Sequence, residues 1–95
     1  MRELKQSVKF KKDRKRIERS GQYGRIMRER FKPAILTLLN DEPLDASYYD
    51  HSLKGNMEGS RECHLAFDLL LVYRYEDDNI LWLERLGTHS EIFGM

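Results

Sequence analysis

Cysteine occurs once, at Cys63, so no disulfide can close within the chain, and a reducing compartment suits it. Long apolar runs are missing too: the longest, Leu69 to Tyr73, is far short of the roughly 20 residues a membrane helix needs. The start, Met1-Arg2-Glu3-Leu4-Lys5, is charged and no apolar segment follows it. That is not a secretory signal, and the protein is expected to stay in the cytoplasm. A phosphate-binding glycine loop is also lacking. Gly55-Asn56-Met57-Glu58-Gly59 neither precedes a helical pattern nor leads into Lys-Ser or Lys-Thr, which argues against nucleotide hydrolysis. Paired metal-ligand spacing is absent, and Cys63 and His64, neighbours on a strand, would face opposite ways. The expectation is therefore no metal and no cofactor.

What is present is a globular composition, 40% hydrophobic and 35% charged, in which neither disorder nor a membrane span is favoured. A chain of 95 residues hides roughly 60 to 65% of its unfolded surface, enough for one core, so residues 1–95 read as a single domain. The net charge of +1 conceals strong polarity. Residues 1–32 hold thirteen Lys or Arg against four acids, a net +9, and residues 33–95 carry a net −8. The block Lys9-Phe10-Lys11-Lys12-Asp13-Arg14-Lys15-Arg16 concentrates positive potential, with Lys11, Lys12 and Lys15 as candidate RNA contacts. An acidic protein segment or a merely solvated helix face would account for the block equally well.

Alternation over residues 3–8 predicts an edge strand. From Lys9 to Arg19, Phe10, Asp13, Arg14 and Ile17 share one helical stripe, and Ser20-Gly21 supplies a stop. A second helix is drawn by Ile26, Met27, Phe31, Ala34, Ile35, Leu38 and Leu39, at steps of three and four. Pro33 falls within it, predicting a kink or break near Glu29 to Lys32, and the helix should end near Asn40. Residues 41–60 read as a long loop with one short strand near Ser52 to Lys54. Strand patterns follow at 61–67, 69–75 and 80–86, the last two joined by Glu76-Asp77-Asp78-Asn79. The implied fold is α+β: an N-terminal strand, two helices, then an antiparallel β-meander with the helices packed on one sheet face.

The three histidines, His51, His64 and His89, lie in loop, strand and tail, and only folding can bring them together. If Cys63, Leu65 and Phe67 enter the core, then Glu62, His64 and Ala66 face the open side of the sheet, flanked by Asp50-His51 and by Gly87 to Glu91. Cleaving RNA through its own 2′-hydroxyl needs a base, an acid and positive donors for the pentavalent phosphate. Histidine serves at either end near neutrality. Arg61 and Arg85 are candidate phosphate clamps, Asp68 could orient an imidazole, and Phe93 or Tyr49 could stack on a base. A plainer reading pairs the two arginines with Glu62, Glu84 or Glu91 and makes Asp68 a turn residue.

Four ordered blocks, Asp50-His51-Ser52-Leu53-Lys54-Gly55, Gly59-Ser60-Arg61-Glu62-Cys63-His64, Asp68-Leu69-Leu70-Leu71-Val72-Tyr73 and Arg85-Leu86-Gly87-Thr88-His89-Ser90-Glu91-Ile92-Phe93, resemble the YafQ branch of the RelE toxin superfamily. The resemblance is dense from about Pro43 to Gly94. It implies a bacterial toxin that cuts mRNA on the ribosome and is held inactive by a cognate antitoxin. His51, His64, Asp68 and His89 then match the family's catalytic positions and Phe93 its terminal aromatic, with Glu62 standing where relatives often carry Asp. ParE-like members of the superfamily, which poison DNA gyrase, lack the histidine set; they and a plain RNA-binding module are the rival readings.

Overall fold

The computed structural model describes residues 1–94. Its sheet has five strands in the order β1-β5-β4-β3-β2, from β1 (Glu3–Gln6), β2 (His51–Ser52), β3 (Arg61–Ala66), β4 (Leu69–Glu76) and β5 (Ile80–Gly87). β1 lies parallel to β5 at one edge, and the remaining pairs are antiparallel. The α+β arrangement expected from the sequence is what the chain adopts.

Helix α1 (Val8–Arg19) starts where Ser7 accepts a hydrogen bond from the Phe10 N–H, satisfying one of the free donors of the first turn. Its buried face is Phe10, Asp13 and Ile17, and Phe10 stacks on Phe31 at 6.1 Å between ring centres. The second helical run begins as α2 (Gly24–Ile26), widens into a π-helical turn at Met27–Phe31, and continues as α3 (Lys32–Leu39). Pro33 explains the widening. It has no N–H to donate, and the Lys32 N–H bonds back to the Met27 carbonyl, five residues away. The disturbance expected between Glu29 and Lys32 therefore takes the form of a wide turn, and the helix runs on to a cap at Asn40.

β4 is buried on both sides, with Leu69, Leu70, Leu71, Val72 and Tyr73 all at most 1% exposed. Leu69, Leu71 and Tyr73 join the core beneath the helices, together with Cys63, Leu65, Leu81, Leu83 and Leu86. Leu70 and Val72 are the cross-strand partners of His64 and Glu62, so they form the apolar floor on the opposite face. Burial pushes the Cys63 thiol up to about 12. One core assignment fails: Phe67 is 99% exposed. Ala66 pairs directly with Leu69 after a register shift, which makes Phe67-Asp68 the two-residue tip of a hairpin and ends the alternation. No Gly or Asn marks that turn; Asp68 is its one turn-forming residue, and it does not show that Phe67 leaves the strand pattern.

At the far end of β5, beyond its last pair with β1, Asp13 takes the place of a strand. Its carboxylate accepts from the Leu86 N–H at 2.9 Å and from Arg85 at 2.8 and 3.2 Å. Arg16 bonds to Asp13 at 3.0 Å and to Glu91 at 2.9 Å. Glu91 belongs to the terminal helix α4 (His89–Phe93), where Thr88 and Glu91 form a reciprocal capping box. Gly87 allows that helix to fold back, since a Cβ there would sit 2.8 Å from a Glu91 carboxylate oxygen.

Candidate functional site

The three histidines converge. His51 arrives on β2, where it is the register partner of Glu62 on β3; His64 is two residues further along the same face, and His89 opens α4. Their rings form a row, with His64 in the middle, 6.2 Å from His51 and 6.0 Å from His89 between ring centres. Phe93 continues it, 6.2 Å beyond His89. His51 and His89 keep about half of their side-chain surface exposed, at 51% and 46%, so a solute can reach both.

Each outer histidine is held by named partners. Asp68 Oδ1 accepts from the His89 backbone N–H at 3.0 Å and from its ring Nδ1 at 2.8 Å. That fixes the Nδ1–H tautomer and turns Nε2 inward. The backbone N–H of His89, then its ring, hold the Asp68 carboxyl below the usual carboxylate range. The orienting role expected of Asp68 thus has its geometry, and the residue also lies in a turn. His51 Nδ1 lies 2.7 Å from the Tyr49 carbonyl, which can only accept, so that nitrogen carries a hydrogen. Its Nε2 lies 2.9 Å from Glu62 Oε2, a contact that needs a proton on one side or the other.

Glu62 differs most from expectation. It shares a face with His64, but it is 4% exposed and sits beneath the imidazoles instead of facing solvent, so it is no direct RNA contact in this arrangement. Among the described residues its Oε1 has no hydrogen-bond partner, and His89 Nε2 is 3.8 Å away. Ligand atoms of His51, Glu62 and His64 all lie within 4.8 Å of one another, a set that fits a divalent cation. Local spacing could not reveal it, because the donors come from two strands and only their pairing register joins them.

Both candidate phosphate clamps are committed elsewhere. Arg85 is bound to Asp13 in the α1 contact. Arg61 alternates with Glu62, so it faces the other side of the sheet, bonded at 3.2 Å to Asp50, which also accepts from Tyr73 at 2.6 Å. Neither the pairing with Glu62, Glu84 or Glu91 nor a clamp describes them; Arg85 touches Glu91 only through its backbone carbonyl, at 3.4 Å. The arginine beside the histidines is Arg30, which sequence reading passed over as one charge among thirteen. It donates to the Leu65 and Ser47 carbonyls at 3.3 Å and to Ser47 Oγ at 3.0 Å, and it lies 3.8 Å over the Tyr48 ring. Lys11, Lys12 and Lys15 are exposed on the outer side of α1.

A small α+β sheet domain with a histidine row across the sheet face away from its helices defines the class. Residues 2–94 match the family described as bacterial toxin of type II toxin-antitoxin system, YafQ, and the chain belongs to that family. It is similar to the mRNA interferase toxin YafQ of Escherichia coli K12, 40% identical over 82% of this chain and 95% of that protein. Among solved structures, a copper-bound mutant toxin from Helicobacter pylori superposes with a TM-score of 0.85 at 42% identity, covering 98% of this chain and all of that one. The E. coli DinJ-YafQ complex superposes with a TM-score of 0.84 at 33% identity, covering 99% of this chain and 100% of the matched chain.

Proposed function

We propose that this protein is an endoribonuclease that cuts mRNA on the ribosome by attack of the 2′-hydroxyl, and that a cognate antitoxin holds it inactive. The observation that carries the reading is the row of three imidazoles whose outer members each have a fixed hydrogen-bond partner. A base takes the proton from the 2′-hydroxyl, and its oxygen bonds to phosphorus. The bond to the 5′ oxygen then breaks as an acid delivers a proton there, leaving a 2′,3′-cyclic phosphate and a 5′-hydroxyl. His51 and His89 flank the row and supply the two proton transfers, each worth roughly a hundred- to ten-thousand-fold in rate. His64, between them, contacts the phosphate. Asp68 keeps His89 in one tautomer and stabilises its charged form, as a carboxylate behind a catalytic imidazole does. Phe93, whose ring centre is 6.2 Å from that of His89, stacks on a base. A gyrase-binding toxin would have no use for this arrangement.

The kinship with mRNA interferase toxins supports the substrate, and the DinJ-YafQ complex of E. coli supports an antitoxin partner. Cleavage of a defined message by wild type and His64→Ala, with and without ribosomes, tests the whole reading. Ribosome-dependent cuts ending in a 2′,3′-cyclic or 3′-phosphate, lost in the variant, are expected; a message left intact under every condition refutes it. A substrate whose leaving 5′ oxygen is replaced by sulfur needs no acid, so it should rescue one of His51→Ala and His89→Ala and not the other.

The donor set of His51, Glu62 and His64 favours a second property of the same site, metal binding, in keeping with the copper-bound relative. An ion held there would occupy nitrogens that proton transfer requires. Added copper(II) should therefore inhibit cleavage and a chelator restore it. Cleavage that rises with the metal would reverse this assignment.

A further inference from the structure

Beside the histidine row lies a cavity of about 710 Å³ lined by Arg30, Ser47, Tyr49, His51, His64, Ala66 and Phe67. Both of its aromatic walls are left in solvent, Phe67 at 99% exposure and Tyr49 at 70%. Neither position is an accident of loose chain. Phe67 stands at the tip of the tight β3–β4 hairpin, and Tyr49 has a left-handed backbone with φ of 49°, rare for a residue with a side chain. Arg30 fastens the segment before Tyr49, through its bonds to Ser47 and its stacking on Tyr48, and the Tyr48 hydroxyl donates to the Arg30 carbonyl at 3.0 Å. Tyr49 meets His64 edge to face, 5.7 Å between ring centres.

We infer that this cavity is a nucleobase subsite: Tyr49 and Phe67 take a base of the RNA next to the cut, and Arg30, bonded to Ser47 and stacked on Tyr48, braces the Tyr49 wall. The inference rests on the nuclease reading for its location, since His51 and His64 line both the cavity and the histidine row. Aromatic faces accept any base by stacking, and a single-stranded segment offers unstacked bases to fill them. The cavity lies alongside the reacting phosphate, so a base held there sets which nucleotide flanks the cut. The subsite is a specificity device beyond the acid and base.

The test uses Phe67→Trp as a reporter, titrated with a 2′-O-methylated trinucleotide that cannot be cleaved, alongside cleavage assays of Phe67→Ala and Tyr49→Ala. Expected are saturable quenching of the new indole, its loss when Tyr49→Ala is added, and a fall in kcat/KM of about tenfold in each alanine variant. That fall should lie mainly in KM, with altered cut sites and an unchanged pH profile. Wild type that cuts programmed ribosomes, with both alanine variants cutting the same sites at the same rate and no quenching at millimolar trinucleotide, overturns the subsite. So does a loss of antitoxin binding with RNA parameters unchanged, which would assign the aromatics to a protein contact. Quenching in a protein that cleaves nothing would leave the base subsite standing and remove the nuclease reading.

Discussion

Two clusters of carboxylates and cations lie at opposite ends of a short stretch of chain, and they are built on different terms. Around Asp13, every polar demand is met: Arg85, Arg16 and the Leu86 N–H all reach a carboxylate whose side chain is 4% exposed. Around Glu62, equally buried, one carboxylate oxygen has no hydrogen-bond partner among the described residues, and the groups that face it are histidines, half in solvent. The first arrangement fixes structure. The second holds groups that exchange protons close together and leaves them reachable, which costs stability and gives chemistry. The two are joined by α4, anchored to α1 through Arg16 and Glu91 and presenting His89 to the row.

The largest effect should come from the histidine end. His51→Ala and His89→Ala are each expected to lower the cleavage rate by a factor of roughly a hundred to ten thousand, since each removes a positioned proton transfer. His89 is half exposed and its partner Asp68 is too, so the melting temperature of His89→Ala should hardly move, whereas His51→Ala also strips the buried Glu62 Oε2 of its contact and should melt lower. A variant that cuts at the wild-type rate would take that histidine out of the mechanism, and a His89→Ala protein that melts well below wild type would place His89 in the structural class with Asp13.

Asp13→Asn should do the reverse. Removing the charge leaves Arg85 with a partner lost in a largely buried contact, a change worth about 3 kcal/mol of stability, while activity per folded molecule persists. Cys63 gives the readout: buried and with its thiol raised to about 12, it resists alkylation until the chain opens. The alkylation rate should rise about a hundredfold in the variant, as that energy implies under fast reclosing; a rate equal to wild type would make the ion pair dispensable.

The same carboxylate gives a pH test. Burial alone would raise the Asp13 pKa, but the hydrogen bonds from Arg85, the Leu86 N–H and Arg16 outweigh it and hold the group below its ordinary value of 3.8. A group whose folded pKa is depressed stabilises the fold above its unfolded pKa and loses that contribution as pH falls through the folded one. Wild-type stability should therefore drop below about pH 4 more steeply than that of Asp13→Asn. Parallel curves for the two proteins would contradict the assignment.

Sequence and structure agree where one residue's pattern is enough. The alternation of β3 put His64 and Glu62 on one face, and Pro33 marked the place where the second helix changes its hydrogen bonding. The resemblance to YafQ toxins selected the same histidines that the fold brings together. What stayed illegible depends on pairing across the chain. Glu62 looked solvent-facing because nothing local announces that His51 will lie opposite it on β2. Arg85 looked free because its partner, Asp13, is 72 residues away. Phe67 continues the alternation of β3, and Asp68 alone does not show that the turn begins one residue before it, so the cavity that Phe67 walls is hidden with it.

The smallest effect concerns the outer side of α1, the counterpart of its Asp13 face. Lys11 and Lys12 are exposed there, so Lys11→Glu with Lys12→Glu should leave the fold and the histidine row untouched. If they grip ribosomal RNA, each lost phosphate contact removes about 0.7 to 0.9 from the slope of log affinity against log salt. The double variant should then bind ribosomes more weakly at low salt and converge on wild type as salt rises, since screening removes what the charges contributed. Cleavage at saturating ribosome should stay the same, because the proton-transfer groups lie on another face. Equal binding at low salt would free the basic block for the other polyanion it suits, an acidic antitoxin segment, and the salt dependence of that complex should then shift in its place.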